Sequence, residues 1–270
     1  MTTPQPQPQP QLNIVTDSQK FYLSPSGASV KKNGIFNSSM EFSIPTMYQK
    51  SDDLLYCTIR TLHAEIPYSF YIVNEYNNLL SITDKDNVVQ NISIPYGNYN
   101  ATSLSTYLNT ILPGGMTITF SAQSGKFTIA YNHTFSINST STCYILLGFD
   151  KNTTYTTNNS FTFPYLANLL GSKNIFLKFP NLILDNYNTQ TGDRATLSNI
   201  PIDQPPYGLI MYENRSTSST IIKNIQMPDV LYLQITNDTN DLIDFNNIDW
   251  SVTIQIDFYL RKDFNQYSNF

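Results

Sequence analysis

The hydrophobic positions of this 270-residue chain recur mostly at every second residue, in short runs cut by Pro, Asn and Gly. A period of two is the pattern of half-buried β-strands. The clearest run is 250–260. Trp250, Val252, Ile254, Ile256, Phe258 and Leu260 fall on one face, and Ser251, Thr253, Gln255, Asp257 and Tyr259 on the other. That alternation predicts a strand whose first face lies in the core. Residues 55–66 alternate as well, setting Leu55, Cys57, Ile59, Thr61, His63 and Glu65 against Tyr56, Thr58, Arg60, Leu62, Ala64 and Ile66. Beyond Pro67 the run 68–73 resumes the extended pattern. Further strands are predicted at 35–44 (Ile35, Met40, Phe42 and Ile44, stopped by Pro45), 79–82, 88–94, 207–212 and 230–236. The run 175–184 is apolar but broken by Pro180, and 185–206 reads as a polar surface loop.

One stretch changes period. Ala101, Leu104, Tyr107, Leu108, Ile111 and Leu112 hold the i, i+3, i+4, i+7 spacing of an amphipathic helix. Asn100 is placed to cap it, and Pro113-Gly114-Gly115 ends it. The segments 116–120 and 126–131 then flank Gln123-Ser124-Gly125, a hairpin turn with Gly at a position suited to positive φ. Residues 142–149 fit either a short strand or a final helical turn ended by Gly148. About a dozen strands with one helix among them predict an all-β sandwich carrying an α+β insertion, expected over about 86–160.

The N-terminus departs from both periods. Pro4, Pro6, Pro8 and Pro10 alternate with Gln, which forbids helix and interior strand and favours an extended polyproline II arm. Residues 1–30 are therefore expected to form a flexible arm ahead of a domain over 31–270. The arm is either a tail without a role or a segment that orders against neighbouring subunits during assembly. Met-Thr-Thr followed by Pro-Gln repeats has neither the charged start nor the apolar centre of a signal peptide. No apolar run is long enough for a transmembrane helix.

Charge narrows the function classes. Charged residues are only 13% of the chain, with a formal net charge of −5, and the densest basic points are Lys31-Lys32 and Arg261-Lys262. Specific nucleic-acid binding normally needs a basic stripe, and none is present. A surface of Asn, Ser and Thr with few charges suits a chain that ends up among neighbours. Sequons beginning at Asn37, Asn91, Asn100 and Asn132 are expected to go unused without a secretory signal.

Candidate chemistry is sparse. There are two histidines, His63 and His133, and two cysteines, Cys57 and Cys143, whose spacing fits no metal or redox motif. The cysteines read as buried thiols of a chain matured in the cytosol. His63-Ala64-Glu65 matches the start of a zinc deaminase signature, but the Pro-Cys-X-X-Cys partner is missing. No Gly-rich phosphate loop and no Gly-X-Ser-X-Gly elbow occurs. Asp84, Asp86 and Asn87 read as a solvated turn, because the Gly and closing Glu of a calcium loop are absent. Asp238, Asp241 and Asp244 read as a polar loop with weak cation binding left open. Arg60 and Glu65 are candidates for cross-strand ion pairs, and Tyr68, Phe70 and Tyr71 for core and interface filling. No catalytic residue, cofactor site or metal site is assigned.

Several stretches carry a family resemblance. They are Thr58-Ile-Arg-Thr-Leu-His-Ala-Glu-Ile-Pro-Tyr-Ser-Phe-Tyr-Ile-Val-Asn74, Ile94-Pro-Tyr-Gly-Asn-Tyr-Asn100, Ser124-Gly-Lys-Phe-Thr-Ile129, Leu146-Leu-Gly-Phe149 and Asp249-Trp-Ser-Val-Thr-Ile-Gln-Ile-Asp-Phe258. In order and spacing the chain resembles penton and minor capsid proteins of virophages, polinton-like viruses and large eukaryotic double-stranded DNA viruses. The resemblance implies a jelly-roll structural protein, made in the host cytoplasm or viral factory, five copies of which close each icosahedral vertex. The partners it implies are further copies of the chain and the major capsid protein, with minor capsid or spike proteins beside them. It implies no catalytic residue. Alternatives are a cement protein between major capsomers, a receptor- or glycan-binding spike module, and a hydrolase on a β-sandwich.

Overall fold

The structure, a computed structural model, describes residues 14–27, 30–44, 54–190, 192–223 and 228–261. The expected arm at Pro4, Pro6, Pro8 and Pro10 lies outside the described residues. The chain divides into two units, one formed by residues up to 70 together with those from 173 onward, the other by 71–172. Each has its own hydrophobic core.

Along the chain the first unit supplies β1 (Ile14–Leu23), β2 (Val30–Lys32), β3 (Ser39–Ser43) and β4 (Leu54–Pro67). The second unit follows with β5 (Leu79–Thr83), β6 (Val89–Ser93), α1 (Ala101–Ile111), β7 (Thr117–Ser121), β8 (Lys126–Ala130), β9 (Phe135–Ile137), α2 (Tyr144–Leu147), β10 (Tyr155–Thr157) and β11 (Ser160–Thr162). The chain then returns to the first unit through β12 (Asn174–Lys178), β13 (Thr196–Pro201), β14 (Leu209–Glu213), β15 (Thr220–Ile222), β16 (Val230–Thr236) and β17 (Ser251–Arg261).

The first unit is a sandwich of two antiparallel sheets. One has the order β1-β17-β4-β14, with β15 also on β4; the other has the order β13-β12-β16-β3-β2. Setting the short β2 and β15 aside, eight strands remain. The first, eighth, third and sixth form one sheet, and the second, seventh, fourth and fifth form the other. This is a jelly roll, and the second unit is inserted between its third and fourth strands. Between the sheets lie Ile59, Ile66, Leu177, Leu233, Ile254, Ile256 and Phe258. Trp250, Val252, Ile254, Ile256 and Phe258 are each at most 2% exposed. Trp250 stands one residue before β17, donates its indole N–H to the Asn37 carbonyl at 3.0 Å and meets Phe42 edge-on.

The second unit pairs β10-β9-β5-β6 in one small sheet and β11-β8-β7 in another. The α1 helix begins at a capping box: Asn100 Oδ1 accepts from the Ser103 N–H, and Ser103 Oγ from the Asn100 N–H. Leu104 and Leu108 are its buried face. Of the two readings of 142–149 the helical turn is realised, as α2 ended by Gly148 at φ 88°. A Cβ there would lie 2.4 Å from the Tyr165 carbonyl oxygen, so only glycine fits.

Six sequence expectations need correction. The arm does not run to residue 30, because 14–23 are a full strand on β17. Its inward positions Asp17 and Gln19 are polar, so the apolar signal there is weak. The region 185–206 is not all loop: β13 lies within it, with Ile200 as its buried anchor. Residues 68–73 do not resume a strand. Tyr68 and Phe70 stack with centroids 4.4 Å apart, and only Val73 forms a bridge, to Gly97. Ile35 sits exposed in a turn before β3. The alternation of 55–66 breaks at Leu62, where β4 carries a bulge opposite the Thr253/Ile254 step of β17. Cys57, Ile59 and Thr61 face inward before it and Ala64 and Ile66 after it, which turns His63 and Glu65 outward. The inserted unit, 71–172, also takes in β5 and β11 on either side of the expected 86–160.

Candidate assembly surface

The outward face of the β1-β17-β4-β14 sheet is a set of polar rungs fixed by strand register. Ser18, Asp257 and Thr58 share one rung, Lys20, Gln255 and Arg60 the next, and Tyr22, Thr253, His63 and Glu213 another. Ser18 Oγ donates to Asp257 Oδ1 at 2.5 Å, Gln255 Nε2 donates to the same oxygen at 2.6 Å, and Arg60 Nη2 donates to Gln255 Oε1 at 3.2 Å. Arg60 therefore meets an amide across the strands. Tyr56 and Tyr259 stack at 4.3 Å on a neighbouring rung. These are uncharged or internally neutralised contacts.

The candidate chemical groups do not converge. His63 Nε2 lies 3.2 Å from Glu65 Oε1 in a half-exposed pair on this face, while His133 sits in the other unit with its ring edge-on to Tyr131. Cys57 and Cys143 are both free and buried; burial pushes the Cys57 thiol up to about 11 and raises Cys143 as well. Asp84 closes a turn, accepting from the N–H groups of Asp86 and Val88 and from Gln90 Nε2. Those bonds, with Val88 first, hold its carboxyl below the usual carboxylate range. Asp238 accepts from the N–H groups of Lys173 and Asn174 and from Asn174 Nδ2, a structural role. Among the described residues no group of three His, Cys, Asp or Glu is placed to hold a metal ion. None of their helices is long and apolar enough to cross a membrane.

The sheet edges are more informative. In the second sheet β2 is only three residues long. There β13 is bulged, ends in Pro201 and has Asn186 Nδ2 bonded to its Thr196 carbonyl. In the first sheet β15 is covered by 183–185 through the Asp185 N–H to Ile221 and the Lys223 N–H to Ile183. The β1 edge is ten residues long, unbroken in register and free of proline. At the opposite edge β14 exposes Met211 (62%) and Leu209 (48%), with Tyr207 just before it. Among the described residues no further strand pairs with either. The significance of edges could not be read from the sequence, because which strands end a sheet depends on pairings far apart in the chain.

Strand order and surface together define a jelly-roll protein whose exposed features are polar rungs and open edges. No family model matches the chain, and no curated protein matches it. Solved structures are similar to it, among them the two that follow. The crystal structure of the selenomethionine-labelled mavirus penton protein covers 89% of this chain and 99% of its own, at 11% identity and a TM-score of 0.43. A chain of the Sputnik virophage, solved by cryo-electron microscopy, covers 93% of this chain and 99% of its own, at 12% identity and a TM-score of 0.40.

Proposed function

We propose that this protein is a viral capsid structural protein, the penton subunit that closes five-fold vertices as a homopentamer beside the major capsid protein. The observation that carries the reading is the eight-strand jelly roll with open edges on opposite sides of one sheet. Jelly rolls are a recurrent capsid building block. A contact between two different edges of one subunit is heterologous, and such a contact closes into a ring when its rotation allows. The polar rungs, internally bonded and low in net charge, let copies approach without strong like-charge repulsion. The protein works by self-association and catalyses no reaction. The test is the mass of the purified protein in solution, together with imaging of particles that carry it. Five-fold rings at vertices are expected. A strictly monomeric protein absent from vertices, or a hydrolytic activity lost in His63→Ala, overturns the reading.

A further inference from the structure

Sheet edges are usually disarmed by brevity, bulges, proline or covering segments, since an open edge templates pairing with another chain. In the first unit three edges carry such devices: β2 is short, β13 is bulged and ends in proline, and β15 is covered by 183–185. The β1 and β14 edges carry neither proline nor bulge, and they bound the same sheet from opposite sides. Each step from β1 to β17 to β4 to β14 is antiparallel, so β1 and β14 run in opposite senses. Copies set side by side in one orientation thus bring β14 of one against β1 of the next in antiparallel sense. That is the sense of every strand pair in this unit.

We propose that β14 of one subunit pairs with β1 of its neighbour, so that the β1-β17-β4-β14 sheet continues from copy to copy around the ring. The occupant of each open edge is a second copy of this chain. Backbone N–H and C=O groups supply the bonds, and the exposed Leu209 and Met211 come to lie beside the outward side chains of β1. Lys20 on β1 and Glu213 on β14 have opposite charges and stand on the same outward face.

This inference rests on the ring reading above, and one experiment separates the two. Within one chain β1 and β14 are three strand spacings apart, about 14 Å, twice what a disulfide can span. In full-length protein, Met211→Cys is combined in turn with Ser18→Cys, Lys20→Cys and Tyr22→Cys, all exposed positions on the outward face. Cys57 and Cys143 are buried and do not interfere. On mild oxidation at least one pair is expected to give a covalent ladder ending at five subunits. A ring of five by mass with no cross-link at any of the three positions overturns the edge pairing and leaves the ring reading intact. Covalent dimers from a single-cysteine β1 variant indicate two-fold β1–β1 pairing and overturn it as well. Absence of any oligomer at 100 µM overturns both.

Discussion

Lys178 Nζ lies 2.5 Å from Asp193 Oδ2 and 2.6 Å from Asn240 Oδ1, with its side chain only 4% exposed. Asp193 Oδ1 in turn accepts from the N–H groups of Ala195 and Thr196 and from Thr196 Oγ1, at the start of β13. One ammonium on β12 thus joins its sheet to two loops. Removing one partner of a buried pair leaves the other charge desolvated and typically costs about 3–5 kcal/mol. Asp193→Ala is therefore expected to destabilise by about 3 kcal/mol in urea unfolding. Lys178→Met should cost less, roughly 1 kcal/mol, because Asp193 retains its three other donors.

Gly148 and the Tyr165 carbonyl make a second strict contact. Gly148→Ala meets both a positive φ of 88° and an oxygen 2.4 Å from the new Cβ. Gly34→Ala meets a positive φ alone, with nothing within 4 Å. The former should destabilise the inserted unit by about 3 kcal/mol or more, the latter the first unit by about 1 kcal/mol. Equal effects would show that the α2 turn can shift away from Tyr165.

Ile254 and Leu62 probe the sandwich. Ile254→Asp buries an unpaired charge between the sheets and should yield insoluble or unfolded protein. Deleting Leu62 removes the extra residue, so that Cys57, Ile59, Thr61, Ala64 and Ile66 alternate on the core face in one unbroken register. Retention of the folded state is expected. A Leu62 deletion that unfolds by circular dichroism and melting would show that the sandwich needs the kink of the bulge itself.

These elements show what was legible from residues alone. Strong alternation exposed β17 and β16, the 3.6 period exposed α1, and the Ser-Gly turn exposed the β7–β8 hairpin. Strands that bury one face only partly were hidden: in β1 the inward positions Asp17 and Gln19 are polar, so its pairing with β17 is written in no local pattern. The bulge at Leu62 was hidden for a different reason. Alternation looks the same on either side of it, and only the partner strand reveals the slip. The assembly edges depend on the whole strand order, which couples residues more than 200 positions apart.

Truncations follow from the β1 pairing. Removing residues 1–13 takes away the Pro-Gln segment ahead of β1. It should leave melting unchanged yet impair incorporation into particles. Removing residues 1–23 also strips β1 from β17 and uncovers core around Leu23 and Phe21, so melting should fall as well. Normal incorporation of the shorter truncation would remove the arm from assembly.

Association should survive salt. Interaction between exposed charges is largely screened beyond about 10 Å at 0.1 M salt and about 3 Å at 1 M. Backbone hydrogen bonds and apolar contact between β14 and β1 do not decay in this way. The opposite charges of Lys20 and Glu213 contribute at most the roughly 1 kcal/mol of a surface pair. Raising NaCl from 0.1 to 1 M should therefore change the dissociation constant between subunits less than tenfold, which analytical ultracentrifugation can follow. Lys20→Glu should weaken association at low salt, by setting it against Glu213, and recover toward wild type at high salt. If the wild-type oligomer instead falls apart at 1 M NaCl, ion pairs dominate the contact and the paired-edge geometry is not what holds the subunits together.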